Sequence, residues 1–245
     1  TTAFQLYIHG QMPSLVSNLK AEGYSGNKAM HPFNPYNYNR PAVYKDFGFT
    51  DFIDKFDFPK NVKRVREYIS DEANVDRIIS EYEKNRKKTD QPFYMYNMTI
   101  QNHSPYDKDA ANFKQPIKIE SSKYDAEANR YLNLIKYSDD SLKQLTGYFE
   151  KCKEPTIILF LGDHQPRLTD EFMNKITNGQ YQTWSSEQMM KRYQVPFVIW
   201  ANYDIKEQHI EKTSMNYIQS ILTKTAGVKM TGYQRFLNEV RKEVP

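Results

Sequence analysis

The chain has one cysteine, Cys152, in 245 residues, so no internal disulfide can form. A lone cysteine suits the cytosol and also bacterial extracellular domains that do without disulfides, so it leaves the compartment open. No stretch approaches the ~20 consecutive apolar residues that a membrane-spanning helix needs. Neither sign of charge dominates. Lys and Arg number 34 against 30 Asp and Glu, a formal net charge of +4, and the basic residues are spread out. That excludes the basic stripe of a nucleic-acid footprint. Internal repeats, low-complexity linkers and a G-x-S-x-G elbow are all absent. Ser104 directly after His103 is not an elbow arrangement, which argues against a serine hydrolase. The start, TTAFQLYIHG, carries neither an initiator Met nor a signal-peptide pattern, as expected of a soluble piece of a longer protein. What the chain does have is tyrosine, 19 in all. The plain reading is a compositional habit; the sharper one is a surface for sugars or polar headgroups.

At this length the chain can bury a real core, and it is taken as a single domain over residues 1–245. MPSLVSNLKAEG reads as a short helix stopping at Gly23. A strand then ends at Met30, and HPFNPYNYNRP follows as a Pro- and Asn-rich loop. From Ser70 the pattern turns helical, with Val75, Ile78, Ile79 and Tyr82 on one face. The basic run Lys84 to Lys88 reads as its solvated end, favoured by the helix dipole. FYMYNMTI, Phe93 to Ile100, reads as a strand, and QNHSPYDKD as the loop after it. Ala128, Tyr131, Ile135, Ser138, Leu142, Leu145 and Phe149 recur at threes and fours and predict a long helix with that face inward. TIILFL, ending at Leu161, and VPFVIWAN read as buried strands. Thr213 or Ser214 caps a helix through Thr225 that ends at Gly227, and a last helix covers roughly Tyr233 to Glu243. Apolar strands alternating with helices predict an α/β fold, a mostly parallel central sheet flanked by helices on both faces.

In such sheets ligands bind outside the carboxyl ends of the strands. His31, then Asn39 and Arg40, follow the strand ending near Met30. Asn102 and His103 follow Ile100, and Asp163 and His164 follow Leu161. Three of the five histidines therefore stand at strand exits. If the three strands are parallel neighbours, their imidazoles meet at one rim. Each residue taken singly has a plainer role: Asp163 as a turn cap, His103 on a loop carbonyl, Arg40 as a surface charge. His9 and His209 sit at no such exit and are read as structural or solvated. An Asp beside a His suits Mn²⁺ or Zn²⁺. A tight turn led by Gly162 would let both side chains point inward. Two donors do not complete a metal site, so further ligands must come from elsewhere.

Together, YMYNMTIQNHSPY, ILFLGDHQP and MHPFNPYNYNRPAVYKDFGF resemble the lipoteichoic acid synthase-like branch of the alkaline phosphatase/sulfatase superfamily. VPFVIWAN and TSMNYIQSILTKTAG are similar to that family's C-terminal part, and the resemblance runs from about Gln5 to about Leu237. It implies a catalytic domain on the extracellular face of the bacterial cell membrane, anchored by N-terminal helices. The implied reaction moves phosphoglycerol from a phosphatidylglycerol headgroup donor to a polymer or glycan acceptor through a phosphothreonine. The implied cofactor is a divalent metal, Mn²⁺ first, with Mg²⁺ or Zn²⁺ as alternatives. By this resemblance Asp163 and His164 are metal ligands, and His103 is the catalytic histidine beside the substrate phosphate. Arg40 grips the glycerophosphate, Tyr38 stands where the family often has Trp, and His31 is a further substrate-site histidine. The family's nucleophilic Thr and an acidic metal ligand lie upstream, on the first strand and the helix after it. Thr1 and Thr2 do not sit in that motif, and neither is promoted. The resemblance thus implies a fold without its first strand and nucleophile helix, catalytically silent and weak for metal.

Other readings stay open beside this one. Sulfatases, phosphatases and phosphoethanolamine transferases share the scaffold, and fold does not fix chemistry. A non-catalytic module that binds polyanions or glycans is a different class again. Sulfatases use a modified Cys or Ser; Cys152 ends the long helix, before the strand, and reads as a packed small side chain.

Overall fold

A computed structural model describes residues 6–120 and 124–244, so Thr1, Thr2 and Gln5 lie outside the described residues. In chain order the strands are β1 (Ser25–Met30), β2 (Asp51–Ile53), β3 (Arg64–Val65), β4 (Tyr68–Ile69), β5 (Phe93–Asn97), β6 (Ile157–Leu161) and β7 (Phe197–Ala201). The helices that matter below are α1 (Leu15–Ala21), α2 (Arg40–Asp46), α3 (Asp71–Arg86) and α4 (Ala126–Phe149). The fold is α/β, built on a parallel sheet of order β2-β1-β5.

Side-chain alternation along the strands decides what covers each face of that sheet. Met30, Ile53 and Met95 point to one side, against Phe58, Ile69 and Ala73 at the start of α3. Phe52, Tyr94 and Tyr96 point to the other. There the Tyr44 ring of α2 lies 4.9 Å from Phe52 and 6.0 Å from Tyr96, and Phe49 stacks on Tyr94 at 6.0 Å. Gly26 (φ +61) carries the register shift in β1; a Cβ there would lie 2.5 Å from the Asn85 side-chain oxygen. Ser70 caps α3, its hydroxyl accepting from the Ala73 amide at 3.1 Å. The last turn of α3 is solvated as its charges suggest, with Lys84, Lys87 and Lys88 exposed. Lys84 lies 2.8 Å from the buried Glu81 carboxylate, which Lys28 and Arg77 also contact. Burial alone would raise that carboxyl. Hydrogen bonds from Lys28 and Lys84, with the Lys28 and Arg77 charges, outweigh it and hold Glu81 at about 2.

Three expectations are corrected. First, β5 ends at Asn97, so residues 98–100 are not strand. Second, β1 and β5 are hydrogen-bonded neighbours, but β6 is not beside them. Its ladder partner among the described residues is β7, antiparallel, with Leu161 opposite Phe197. Third, the inward face of α4 follows the apolar pattern only in part: Ala128 and Phe149 are buried as expected. Ile135 is 41% exposed, while Asn129, Asn133, Leu134 and Ser141 are buried. Hydrogen bonds set this face. Asn133 pairs with both backbone groups of Ile117, at 3.0 and 2.8 Å, and Asn129 accepts from the Ile119 amide at 2.9 Å. Helix α2 was missed because Pro41 and the Asn-rich run before it read as loop. No described helix is long and apolar enough to cross a membrane.

Asn202, just past β7, ties the end of α4 to the start of β6. Its side-chain oxygen accepts from the Thr156 amide at 2.7 Å. Its amide nitrogen lies 2.9, 3.1 and 3.0 Å from the carbonyls of Phe149, Cys152 and Glu154. Asn202→Ala strands these backbone groups and should cost about 2–3 kcal/mol in urea unfolding; a loss under ~0.5 kcal/mol would show that water replaces the side chain.

Candidate active site

The parallel ladder places the first two histidines. Beyond the paired residues Met30 and Asn97, the Met98 amide donates to the Met30 carbonyl at 2.9 Å, and the His31 amide donates to the Ile53 carbonyl at 2.9 Å. His31 is therefore buried at the end of β1, only 2% exposed, with its Nδ1 donating to the Met98 carbonyl at 3.0 Å. His103 is exposed, and its Nδ1 donates to the Ser104 carbonyl at 2.7 Å. His164 is also exposed, and its Nδ1 donates to the Gln165 carbonyl at 2.9 Å. A carbonyl can only accept, so each neutral ring carries its proton on Nδ1 and leaves the Nε2 lone pair free. Histidines that ligate metals or move protons are usually oriented this way. His9 is turned the other way, its Nε2 lying 3.1 Å from the Leu6 carbonyl.

Arg40 enters from α2 through a strained turn. Tyr38 and Asn39 both have left-handed backbone, φ 60 and 55. This conformation costs about 1 kcal/mol or more per residue and clusters where geometry serves function. The turn sets the Tyr38 ring 4.8 Å from the Arg40 guanidinium. Arg40 Nη1 donates to the Asn37 carbonyl at 3.2 Å. Burial pushes the His31 imidazolium down to about 4; the Met98 carbonyl opposes this, and the positive fields of Arg40 and His103 reinforce it. The contacts agree: Arg40 Nη2 lies 4.0 Å from Sδ of Met98, whose carbonyl His31 binds, and the Phe33 and Tyr68 rings link the rings of His31 and His103.

Asp163 and His164 do face each other, with Oδ2 and Nε2 3.5 Å apart. They do so without a left-handed Gly162. That glycine serves a close approach instead: a Cβ on it would lie 3.2 Å from Val195 Cβ. The Asp163 carboxylate also makes its own turn, accepting from the His164 amide at 2.8 Å. Its field reaches Tyr96. Burial raises the Tyr96 phenol, Asp163 raises it further, and Arg40 lowers it. Asp163, past the end of β6, is thus within electrostatic reach of Tyr96 near the end of β5 even though the two ladders are separate. An oxygen and a nitrogen donor side by side fit one side of a divalent cation. No group of three or more His, Cys, Asp or Glu placed to hold a metal occurs among the described residues. Cys152 is half-buried, and burial raises its thiol, as suits a packed side chain.

Side chains of the loop itself, of α3 and of α4 hold the His103 loop, Asp71 and Gln101 among them without a role in the sequence reading. Gln101 is buried, its side-chain oxygen accepting from the Asp71 amide at 3.0 Å. Asn102 donates to Ser138 Oγ at 2.8 Å, and Ser138 donates to Asp71 Oδ2 at 2.6 Å. Burial of Asp71 raises its carboxyl to about 6, against the Ser138 hydrogen bond. Tyr96 was missed because nothing in an aromatic strand singles out its final phenol. Asp71 looked like an ordinary acid in the first turn of a helix.

The sequence profile of the sulfatase family matches residues 7–228. The chain belongs to the sulfatase family. A putative cyclic beta-1,2-glucan modification protein of Rhizobium meliloti is 31% identical over 97% of this sulfatase-family chain, which spans 37% of that relative's length. The lipoteichoic acid synthase of Staphylococcus aureus is 27% identical over 66% of the chain, which spans 25% of it. The structure of a Streptococcus pyogenes phosphoglycerol transferase, GacH, in complex with sn-glycerol-1-phosphate matches with a TM-score of 0.68 at 20% identity, covering 94% of this chain and 60% of GacH. That match shows the sulfatase-type fold.

His31 and Asp71 pull acid stability in opposite directions. The folded value of His31 lies below its unfolded value of 6.5, at about 4, so stability is lost as pH falls through that window. The folded value of Asp71 lies above its unfolded value of 3.8, at about 6, so stability is lost as pH rises through that window. Relative to the parent, Asp71→Asn should gain stability near neutral pH and lose that gain by about pH 4. His31→Gln should show the opposite trend, each change on the order of 3 kcal/mol. Urea unfolding at several pH values checks both; parallel curves for parent and variant would remove that residue from the balance.

Proposed function

We propose that this chain is the catalytic part of a cell-envelope phospho-group transferase, moving phosphoglycerol from a phospholipid headgroup donor to a polymer or glycan acceptor. The observation that carries the reading is the common orientation of His31, His103 and His164, each bound through Nδ1 to a backbone carbonyl and so presenting Nε2 as its working nitrogen. A phosphoglycerol transferase of like fold and a glucan-modifying relative support the donor and acceptor classes.

Arg40 offers a planar fork to two phosphate oxygens, with Tyr38 stacked behind it. His31 stays neutral near pH 7 and presents Nε2 as an acceptor for a glycerol hydroxyl. His103 would take a proton from solvent on Nε2 and give it to the departing lipid alkoxide as the phosphorus–oxygen bond breaks, an effect worth about 10²- to 10⁴-fold. The bond that forms is from phosphorus to a threonine oxygen outside the described residues, whose hydroxyl proton passes to solvent. Asp163 and His164 would hold a divalent cation, Mn²⁺ before Mg²⁺ or Zn²⁺, with its other ligands also outside the described residues. When bound it neutralises charge on the transferring group. The intact protein is placed by this reading at the outer face of the bacterial membrane, anchored by N-terminal helices.

The test is diacylglycerol release from labelled phosphatidylglycerol by the intact protein with Mn²⁺. Arg40→Ala should lower kcat/KM by about 10²-fold or more, and Asp163→Asn should abolish metal-dependent turnover. Hydrolysis of a sulfate ester without diacylglycerol release would replace this reading with a sulfatase. The 245-residue chain alone should be silent and bind Mn²⁺ weakly by calorimetry; submicromolar affinity would overturn that expectation.

A further inference from the structure

Arg66 occupies the first position of the two-residue turn between β3 and β4, with left-handed backbone at φ 54. A glycine would adopt that conformation at no steric cost; an arginine there costs about 1 kcal/mol or more. Its side chain is 9% exposed yet pairs with no carboxylate among the described residues. All of its hydrogen bonds go to backbone carbonyls of a single loop. Nη2 donates to the carbonyls of Gln101 and His103, each at 2.7 Å, and Nη1 donates to that of Pro105 at 2.5 Å. The rings of Tyr68 and Tyr106 lie 5.2 and 5.7 Å from its guanidinium. Tyr68 also donates to the Ser104 carbonyl at 3.2 Å and packs edge-on to the His103 ring at 6.0 Å. Asn112 donates to the Arg64 and Arg66 carbonyls, at 3.1 and 3.0 Å, and so fixes the turn itself.

We propose that Arg66 is a positioning residue for His103, its guanidinium clamping the 101–105 loop by three carbonyls and so fixing where His103 Nε2 points. The claim that this direction matters for phosphoryl transfer rests on the proposed function; the clamp itself does not. Gln101 and Asn102 turn their side chains inward to Asp71 and Ser138, and Arg66 takes the carbonyls. His103 is left as the side chain of this loop that faces outward with a free ring nitrogen. Hydrogen bonds from a charged donor are worth more than neutral ones, and the fork has the spacing to reach several acceptors at once. Lysine keeps the charge and lacks the fork. Glycine relieves the backbone strain and lacks both.

The experiment compares Arg66→Lys and Arg66→Gly with the parent by carbethoxylation with diethyl pyrocarbonate, read at each histidine by peptide mass spectrometry. The intact protein is used throughout, and thermal unfolding confirms that each variant is folded. The rate at His103 should change severalfold in both variants, while His9, His164 and His209 keep parental rates. If transfer activity is present, kcat should fall by about 10²-fold with KM little changed, as expected for a misplaced proton donor. Should Arg66→Lys and Arg66→Gly both fail to fold, Asn112→Ala decides, with a smaller change at His103 expected. A folded variant with the parental His103 rate would overturn the proposal. Absence of transfer in the parent would count against the proposed function alone, because the modification rate still reports the clamp.

Discussion

The site depends on one parallel ladder. Because β1 and β5 pair Met30 with Asn97, both strands end at the same level. The next residues then bind each other in place of strand partners: Met98 gives its amide to Met30 and its carbonyl to the His31 ring. A slip of one residue would turn every side chain of β5 to the opposite face. It would take the Met98 carbonyl from His31 and move Tyr96 away from Tyr44. The tautomer of His31 is thus a consequence of strand register, and the burial that keeps the ring neutral follows from the same pairing.

Two histidines at one edge are treated differently by their surroundings. His31 lies beneath the surface, held by the sheet on one side and pressed by the positive fields of Arg40 and His103. His103 lies outside, on a loop whose inward side chains and carbonyls are all bound. A buried neutral imidazole can accept a hydrogen bond without titrating near pH 7, whereas an exposed one can take and release a proton. On the proposed function the acid and the acceptor would be separated by burial, so that one residue type could serve two roles.

Much of the fold was legible in the sequence, and for a clear reason. Strands such as IILFL and FVIWA are apolar throughout, though half-buried where full burial was expected, with Phe160 and Val198 exposed, and Ser70 and Gly23 punctuate their helices with unambiguous caps. The strand-exit rule then pointed to His31, Arg40, His103, Asp163 and His164 as candidates, although β5 ends at Asn97 and His103 stands on the loop beyond it. What stayed hidden rests on backbone. Arg66 acts on carbonyls, which have no sequence signature, from a left-handed turn that sequence assigns to Gly or Asn. The inward face of α4 was partly misread because Asn129 and Asn133 bind the backbone of Ile117 and Ile119, and a count of apolar spacing cannot see that. The separation of β6 from the parallel sheet was also illegible, since a buried strand looks alike whether its neighbour runs parallel or antiparallel.

The charges at this edge are arranged by sign. Arg40 and Arg66 stand on the β1 and hairpin side, the second with its positive charge unpaired by any carboxylate among the described residues. Asp163 stands on the β6 side. Tyr96 feels both, raised by the acid and lowered by the arginine. If Asp163 existed to balance Arg40, the two would close into an ion pair, and such pairs elsewhere in the chain do close, as Glu81 does with three cations. Arg40 instead leans on Tyr38, and Asp163 leans on His164. Opposite charges left unpaired forgo Coulomb energy that, on the proposed function, an anionic group would recover at the arginine, provided a cation covers the acid. An anion and a divalent metal entering together satisfy that condition; either alone leaves one of the two charges uncompensated.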